Sequence, residues 1–345
     1  MKMGLDRLIV NFEYGEISNF NNRYYIINND KRCLKKYNKK IVNSYIALPL
    51  SLLQFHNIKI ETKEEFLKFK ILKNFYDINQ IFERNFRLKK YIEIIKPIIL
   101  NLDEKKIIKI FKKINLLPIP IFLDLKKNQE NSNIIFSINE IYKNLNKSKI
   151  VFINKTLLPL KNNKNVQIYI FDDLVLNITH YALVFNDKKK NTNPLVRVHS
   201  SCLTGDLMGS QKCDCGYQFS SAIDFMSKSK KMGILIYLNQ EGRGLGIHNK
   251  IISYNIQEKG YDTYEADNIL GFSGDERNYD SAVKILKYFK ISILTLITNN
   301  PEKILYLKKQ GIKISKSIQI KAGVNNFNKN YLITKKNIGK HLLKL

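Results

Sequence analysis

Residues 233–250 read GILIYLNQEGRGLGIHNK. Gly233–Gln240 is an apolar run of strand length, three alternating glycines follow it, and an amphipathic stretch from Ile247 to Lys259 ends at Gly260. That order predicts a buried strand, a tight loop and a helix with a glycine at its C-terminal cap. The alternation continues outward on both sides. Leu195–Ser200 (LVRVHS) predicts a short strand, and Tyr217–Lys231 a helix with Phe219, Ala222, Ile223, Phe225 and Met226 on its buried face. Asp280–Lys290 has helical spacing, Ile291–Thr298 is a further buried strand, and Pro301 and Gly311 bracket one more helix. Strands alternating with helices mean a sheet with helices packed on it.

Further upstream the pattern changes. Lys149–Lys155 (KIVFINK), Val166–Asp173 and Ile178–Phe185 are strand-like, and Asn186–Pro194 (NDKKKNTNP) reads as a loop. Polar breaks fall at Lys126–Asn133 and Lys161–Asn165. Helical patterns cover Lys63–Phe75 and Glu104–Ile114, and Ser137 followed by Glu140 is a capping-box signature. Residues 1–160 hold no Gly-rich loop, no dense carboxylate cluster and no paired His; Cys33 and His56 stand alone and read as structural.

The 345 residues carry 58 Lys+Arg against 30 Asp+Glu, a net charge of +28, and both halves of the chain are basic. The excess is lysine scattered among Asn and Ile. It reads as solvated faces, or as attraction of a polyanionic ligand such as a nucleotide. No Arg-rich arm and no paired C-x2-C motif supports a specific nucleic-acid binder. No apolar run reaches the ~18 residues that cross a bilayer, and the N-terminus lacks a signal-like apolar region. Four Cys, three of them between residues 202 and 215, do not make a disulfide scaffold. The expectation is a cytoplasmic protein without a membrane partner.

The chemistry concentrates in HSSCLTGDLMGSQKCDCGYQ, where Cys202, Cys213 and Cys215 form C-x10-C-x-C. Three thiolates suit zinc and leave a fourth position for a water, whose pKa a Lewis acid lowers from about 15.7 toward roughly 7. Two other readings stay open: a closed structural site completed by His199 or His248, and three buried thiols without metal. In NQEGRGLG, Glu241, Gly242 and Arg243 place an acceptor and a guanidinium on a loop that can approach a ligand closely. Its G-x-G-x-G spacing is neither the dinucleotide fingerprint nor a Walker loop. SGDERNYD places Asp275 and Arg277 before a helix, and TNNPEK sets Thr298 at a strand end and Lys303 in the next helical turn. Strand ends are where α/β sheets commonly bind ligands. The expected fold class is α/β: a C-terminal mixed sheet flanked by helices with a zinc-binding loop (161–345), plus a smaller α/β N-terminal domain (1–160).

The ordered set RVHSSCLTGD, KCDCGYQ, QEGRGLG, GYDTYEAD, DERNY and TNNPEK, spread over about residues 166–330, resembles the GTP cyclohydrolase II family of riboflavin biosynthesis. The resemblance implies zinc-dependent opening of the GTP imidazole ring, with release of formate and pyrophosphate. It implies one zinc per chain on Cys202, Cys213 and Cys215. Substrate contacts fall on Arg197, Val198, His199, Ser200 and Ser201, on Gln218, Glu241, Gly242 and Arg243, and on Thr263, Thr298 and Lys303. Asp275 matches the proton acceptor, Arg277 the nucleophile and Tyr254 an active-site tyrosine. Mg²⁺ on the substrate phosphates and a homodimer also follow from the resemblance. Two positions depart from the pattern: Ser201 stands where the family usually has Glu, and Lys212 where Arg is common. The acidic motif of an upstream dihydroxybutanone phosphate synthase domain is absent from 1–165, so a degenerate, non-catalytic N-terminal domain is expected. An inactive, nucleotide-binding relative with a regulatory or structural role is the alternative reading of the whole chain.

Overall fold

A computed structural model describes residues 4–29, 31–125, 135–145, 148–187, 193–321, 323–340 and 342. The break at Lys126–Asn133 and residues 188–192 of the expected loop lie outside these. The chain forms two compact units, residues 1–147 with 244–276, and residues 148–243 with 277–345. The division therefore does not follow a single cut near residue 160. A segment of 33 residues, Gly244–Glu276, belongs with the first unit, which is consequently no smaller than the second. No helix among the described residues is long and apolar enough to cross a membrane.

The first unit has a seven-stranded sheet built from β1 (Ser18–Phe20), β2 (Tyr24–Ile27), β3 (Tyr45–Pro49), β4 (Phe66–Lys70), β5 (Ile98–Ile99), β6 (Ile121–Leu123) and β7 (Ile135–Phe136), in the order β5-β4-β3-β6-β2-β1-β7. Here one sequence expectation fails. The stretch 63–75 is not helical; its centre is β4, antiparallel to β3 with Tyr45 opposite Lys70 and Pro49 opposite Phe66. Leu67, Phe69 and Ile71 recur with period two and are all buried, whereas Lys68 turns to the other side and ion-pairs with the buried Glu104. The adjacent apolar residues Phe66 and Leu67 mask this alternation in the sequence. The helix Leu102–Lys113 forms as expected and starts with a capping box between Asn101 and Glu104. Ser137 Oγ likewise accepts from Glu140 N at the start of the helix Ile138–Asn144.

The helices Ile247–Gln257 and Thr263–Ile269 join this unit through its core. Leu245, Ile256, Ala266, Ile269, Leu270 and Phe272 share one buried cluster with Leu48, Leu52, Phe69 and Ile121. Polar contacts fasten the same segment: Asn249 Nδ2 donates to Asn115 O (2.9 Å), Arg84 Nη2 to Lys259 O (2.7 Å), and Lys112 stands 3.7 Å from Glu276.

The second unit also has a seven-stranded sheet, with β8 (Ile150–Leu157), β9 (Val166–Asp173), β10 (Ile178–Phe185), β11 (Leu195–Ser200), β12 (Gly233–Leu238), β13 (Ile293–Ile297) and β14 (Lys313–Ile318) in the order β14-β13-β11-β12-β10-β9-β8. β8, β9, β10 and β12 pair antiparallel; β12, β11, β13 and β14 pair parallel. Both faces are covered. Val196, Val198, Ile234, Ile236 and Leu238 pack with the helix Asp280–Tyr288 on one side. On the other, Leu195 and Leu235 pack with Ala222 and Met226 of the helix Cys215–Lys228. Phe225, expected on that buried face, is 45% exposed: at about 100° per residue it lies a quarter-turn from Met226, away from Phe219 and Ile223.

Since Leu270 has no exposed surface, Leu270→Ala should cost about 2–5 kcal/mol of stability. Urea unfolding of the full chain measures it, and a loss below about 1 kcal/mol would contradict a core shared by the N-terminal half and residues 244–276.

Candidate active site

β11, β12 and β13 are neighbours that run parallel, so their C-terminal ends lie together. Those ends deliver Ser200–Cys202, Asn239–Arg243 and Thr298–Lys303 to one edge of the sheet. The alternation within β11 does the rest. Val196 and Val198 enter the core, which forces Arg197 and His199 onto the face covered by the helix Cys215–Lys228. Arg197 is buried; its Nη2 donates to Gln218 Oε1 (2.8 Å) and its Nη1 to Ile297 O (3.4 Å), while Nε has no partner among the described residues. Burial draws its pKa down to about 10, which leaves the guanidinium charged at neutral pH. Gln218 in turn donates to Asp214.

The three cysteines are free thiols, and their sulfurs lie within 4.8 Å of one another. Cys202 Sγ and Cys213 Sγ are 3.7 Å apart. Two sulfurs bound at about 2.3 Å to a tetrahedral zinc would stand about 3.8 Å apart, so the spacing fits that ion. The pocket is shaped by two glycines. A Cβ on Gly205 would sit 3.0 Å from Cys213 Sγ and 3.1 Å from Cys202 Sγ, and a Cβ on Gly216 would sit 2.2 Å from Gly205 O. Mutual hydrogen bonding raises the Cys213 thiol to about 11 and Cys215 well above its ordinary value, Cys202 being the main cause for each, with burial adding to it. Bare thiols here favour the protonated form, and a divalent cation bound between them would favour thiolates instead.

Asp206 closes this loop. Its Oδ2 accepts from Cys202 N, from the Tyr237 hydroxyl and from His199 Nε2, each at 3.0 Å. His199 Nδ1 lies 3.4 Å from Arg197 Nη2, so both ring nitrogens face partners other than sulfur. Among the described residues, the only group of metal-competent atoms contains the three cysteines and neither histidine. Burial lowers the His199 pKa, keeping the ring neutral.

The loop after β12 is a turn of left-handed residues. Gly242 (φ 60°, ψ 42°) and Arg243 (φ 57°, ψ 31°) both occupy that region, at a cost of order 1–2 kcal/mol for the arginine. Glu241 holds the turn, its carboxylate accepting from Leu203 N (2.6 Å) and Gly242 N (3.2 Å). Ser201 Oγ accepts from Gln240 N (3.1 Å), so the serine caps the loop through its side chain. Gln240 links two motifs: Nε2 donates to Ser200 Oγ (3.0 Å) and Oε1 accepts from Asn278 N (3.2 Å). Thr298 Oγ1 accepts from Asn300 N (3.0 Å), Lys303 Nζ donates to Val198 O (2.8 Å), and the Arg277 guanidinium lies 5.9 Å from the Tyr279 ring centre.

Thus Arg197, Val198, His199, Ser200, Ser201, Gln218, Glu241, Gly242, Arg243, Arg277, Thr298, Lys303 and the three cysteines belong to the second unit. Tyr254, Thr263 and Asp275 belong to the first. There Tyr254 lies under Lys250 Nζ (5.6 Å), Thr263 opens a helix capped by Asp262, and Asp275 follows Gly274, which packs on Tyr264. Sequence reading passed over Asp206, Asp214, Tyr237 and Gln240. Asp206 and Asp214 sit inside the cysteine motif, which was their only signal; Tyr237 reads as one more strand residue.

A family profile described as GTP cyclohydrolase II matches residues 152–319. The GTP cyclohydrolase-2 of Picrophilus torridus is 44% identical over 193 residues, 56% of this chain and 99% of that protein. The riboflavin biosynthesis protein RibBA of Endomicrobium trichonymphae is 42% identical over 178 residues, 52% of this chain and 44% of its own. A solved two-domain 3,4-dihydroxy-2-butanone 4-phosphate synthase, RibBX from A. baumannii, covers 86% of this chain and 94% of its own, with a TM-score of 0.29 and 11% identity. That superposition is too loose to bear on the fold.

Gly205→Ala places its methyl against two sulfurs and should weaken zinc binding about tenfold or more. Competition with a chromophoric chelator reads the affinity; an unchanged affinity in a folded variant would contradict the cradle.

Proposed function

The chain belongs to the GTP cyclohydrolase II family, and from that premise we propose that it hydrolyses GTP at the entry to riboflavin biosynthesis. The products would be formate, pyrophosphate and 2,5-diamino-6-(5-phosphoribosylamino)pyrimidin-4-one. The observation that carries this reading is the gathering of three sulfurs at the C-terminal end of β11, the strand that also carries the buried Arg197. Cys202, Cys213 and Cys215 would hold one zinc per chain, which when bound supplies Lewis-acid activation of the water that attacks carbon 8 of guanine.

The protein's own groups bind and orient the nucleotide. Arg197, Arg243 and Lys303 bring positive charge to a triphosphate, and Mg²⁺ bound with the substrate would offset more of its negative charge. Thr298 and Thr263 offer hydroxyls, and Gln218 fixes the Arg197 guanidinium so that its fork keeps one orientation. His199, held neutral and clamped by Asp206, keeps the cysteine loop closed on the strand end. Glu241 and Ser201 are committed to backbone N–H groups of the same loops, so they position backbone rather than move protons. The serine does through a hydroxyl what fixes the Glu241 turn; a carboxylate is not needed there to seat the loop. Arg277 stabilises developing charge or acts as nucleophile, with Asp275, two residues earlier, taking the proton; Tyr254 completes the set. A homodimer is part of the same reading.

The first half is, on this proposal, a degenerate synthase-like domain without catalysis of its own. What supports a scaffolding role is the core it shares with residues 244–276, the segment that carries Tyr254, Thr263 and Asp275.

Incubation with GTP, Mg²⁺ and zinc should yield formate and a diaminopyrimidine chromophore, and chelation of the metal should abolish both. Absence of product from metal-loaded protein would reject the activity. Arg277→Lys should lower turnover by about 100-fold or more with zinc content intact; normal turnover would remove Arg277 from the mechanism. Ribulose 5-phosphate should remain unconverted, and conversion would restore a catalytic role to the first half.

A further inference from the structure

The family profile ends at residue 319, yet the chain beyond it returns to the cysteine site. Asn325 Nδ2 donates to Gln211 O (3.3 Å), and Gly323 packs against the Tyr217 ring, where a Cβ would come within 2.7 Å of Cγ. Asn328, fully buried, closes the turn by donating to Gly323 O (2.7 Å) and accepting from Asn325 N (2.9 Å). This turn launches the helix Lys329–Asn337, anchored by the buried Leu332. Tyr331 and Lys335 are four residues apart and share one face of it.

Both side chains meet groups of the site. The Arg243 guanidinium lies 5.7 Å from the Tyr331 ring centre, and Lys335 Nζ lies 5.5 Å from the same ring. Lys335 Nζ is also 3.0 Å from Asp214 Oδ1, whose side chain has no exposed surface. Asp214 then accepts from Gln218, and Gln218 accepts from Arg197. One chain of contacts therefore runs Lys335–Asp214–Gln218–Arg197, and a second runs from Tyr331 to Arg243.

We propose that Tyr331 and Lys335 are positioning residues for the anion-binding side of the site, aligning Arg243 and Arg197 for a nucleoside triphosphate. The physical reasons differ for the two. A ring under a guanidinium restricts it to one plane and so fixes the directions in which its edge N–H groups point. Lys335 offsets the buried Asp214 carboxylate, which otherwise would draw Arg197 toward itself and set a negative charge beside the phosphates. Neither residue is assigned a role at the reacting carbon. Their effect falls on ground-state binding of the triphosphate rather than on ring opening.

The inference rests on the GTP-hydrolysing reading, and steady-state kinetics of the zinc-loaded full chain separates the two. Tyr331→Leu and Lys335→Met should each raise the KM for GTP about tenfold, with kcat within about threefold of the parent and with unchanged zinc content. Tyr331→Phe, which keeps the ring, and Lys335→Arg, which keeps the charge, should recover most of the lost affinity. An unchanged KM in both disruptive variants overturns the inference while the parent reading stands. So does a loss that tracks zinc content or melting temperature and is not recovered by Phe and Arg, since that marks a purely structural helix. A parent protein that turns over no GTP overturns the functional reading, and this inference with it.

Discussion

Three thiols crowded into a largely buried pocket impose the constraint on which the second unit depends. As thiols they compete for the same few acceptor positions, and as thiolates they repel; a divalent cation removes both conflicts at once. The fold spends much of its local design on holding them there. Two glycines give the sulfurs room, Asp206 gathers three donors to shut the loop, and Glu241 reaches across to its first backbone N–H. A methyl on Gly216 would collide with the Gly205 carbonyl, and one on Gly205 would press on two sulfurs.

The sheet explains why charge gathers at the same place. Parity along β11 sends two valines into the core and therefore turns an arginine and a histidine to the opposite face. An arginine that deep is stable only with its donors occupied, and Gln218 and Ile297 O meet part of that need. The parallel strands on either side end at the same edge, bringing the left-handed turn at Gly242 and Arg243 and the Thr298–Lys303 helix start into one region of the second unit. Fold and site share one cause: alternate residues of a two-sided parallel sheet.

The parallel half of the fold was legible from sequence because its strands are short apolar runs bounded by glycine or proline. Gly233–Leu238, Leu195–Ser200 and Ile293–Ile297 formed where expected, and so did the helices between them. The strand within 63–75 is not legible, because the adjacent apolar residues Phe66 and Leu67 obscure a period of two. The sequence pattern pointed to two domains, but the return of residues 244–276 to the first unit was not legible in it. The expected helix over Ile247–Lys259 is amphipathic, and local periodicity does not say which core receives its buried face; Ile256 enters the core of the first unit. In the site, cysteines and glycines declared themselves by spacing. Asp206, Gln240, Tyr331 and Lys335 did not, since their importance lies in contacts between residues far apart in the chain.

The most direct test is zinc K-edge X-ray absorption on freshly purified, catalytically competent protein. The account predicts about three sulfur neighbours at roughly 2.3 Å and one oxygen neighbour at about 2.0 Å. A shell of three sulfurs and one imidazole nitrogen, or active protein devoid of zinc, would contradict it.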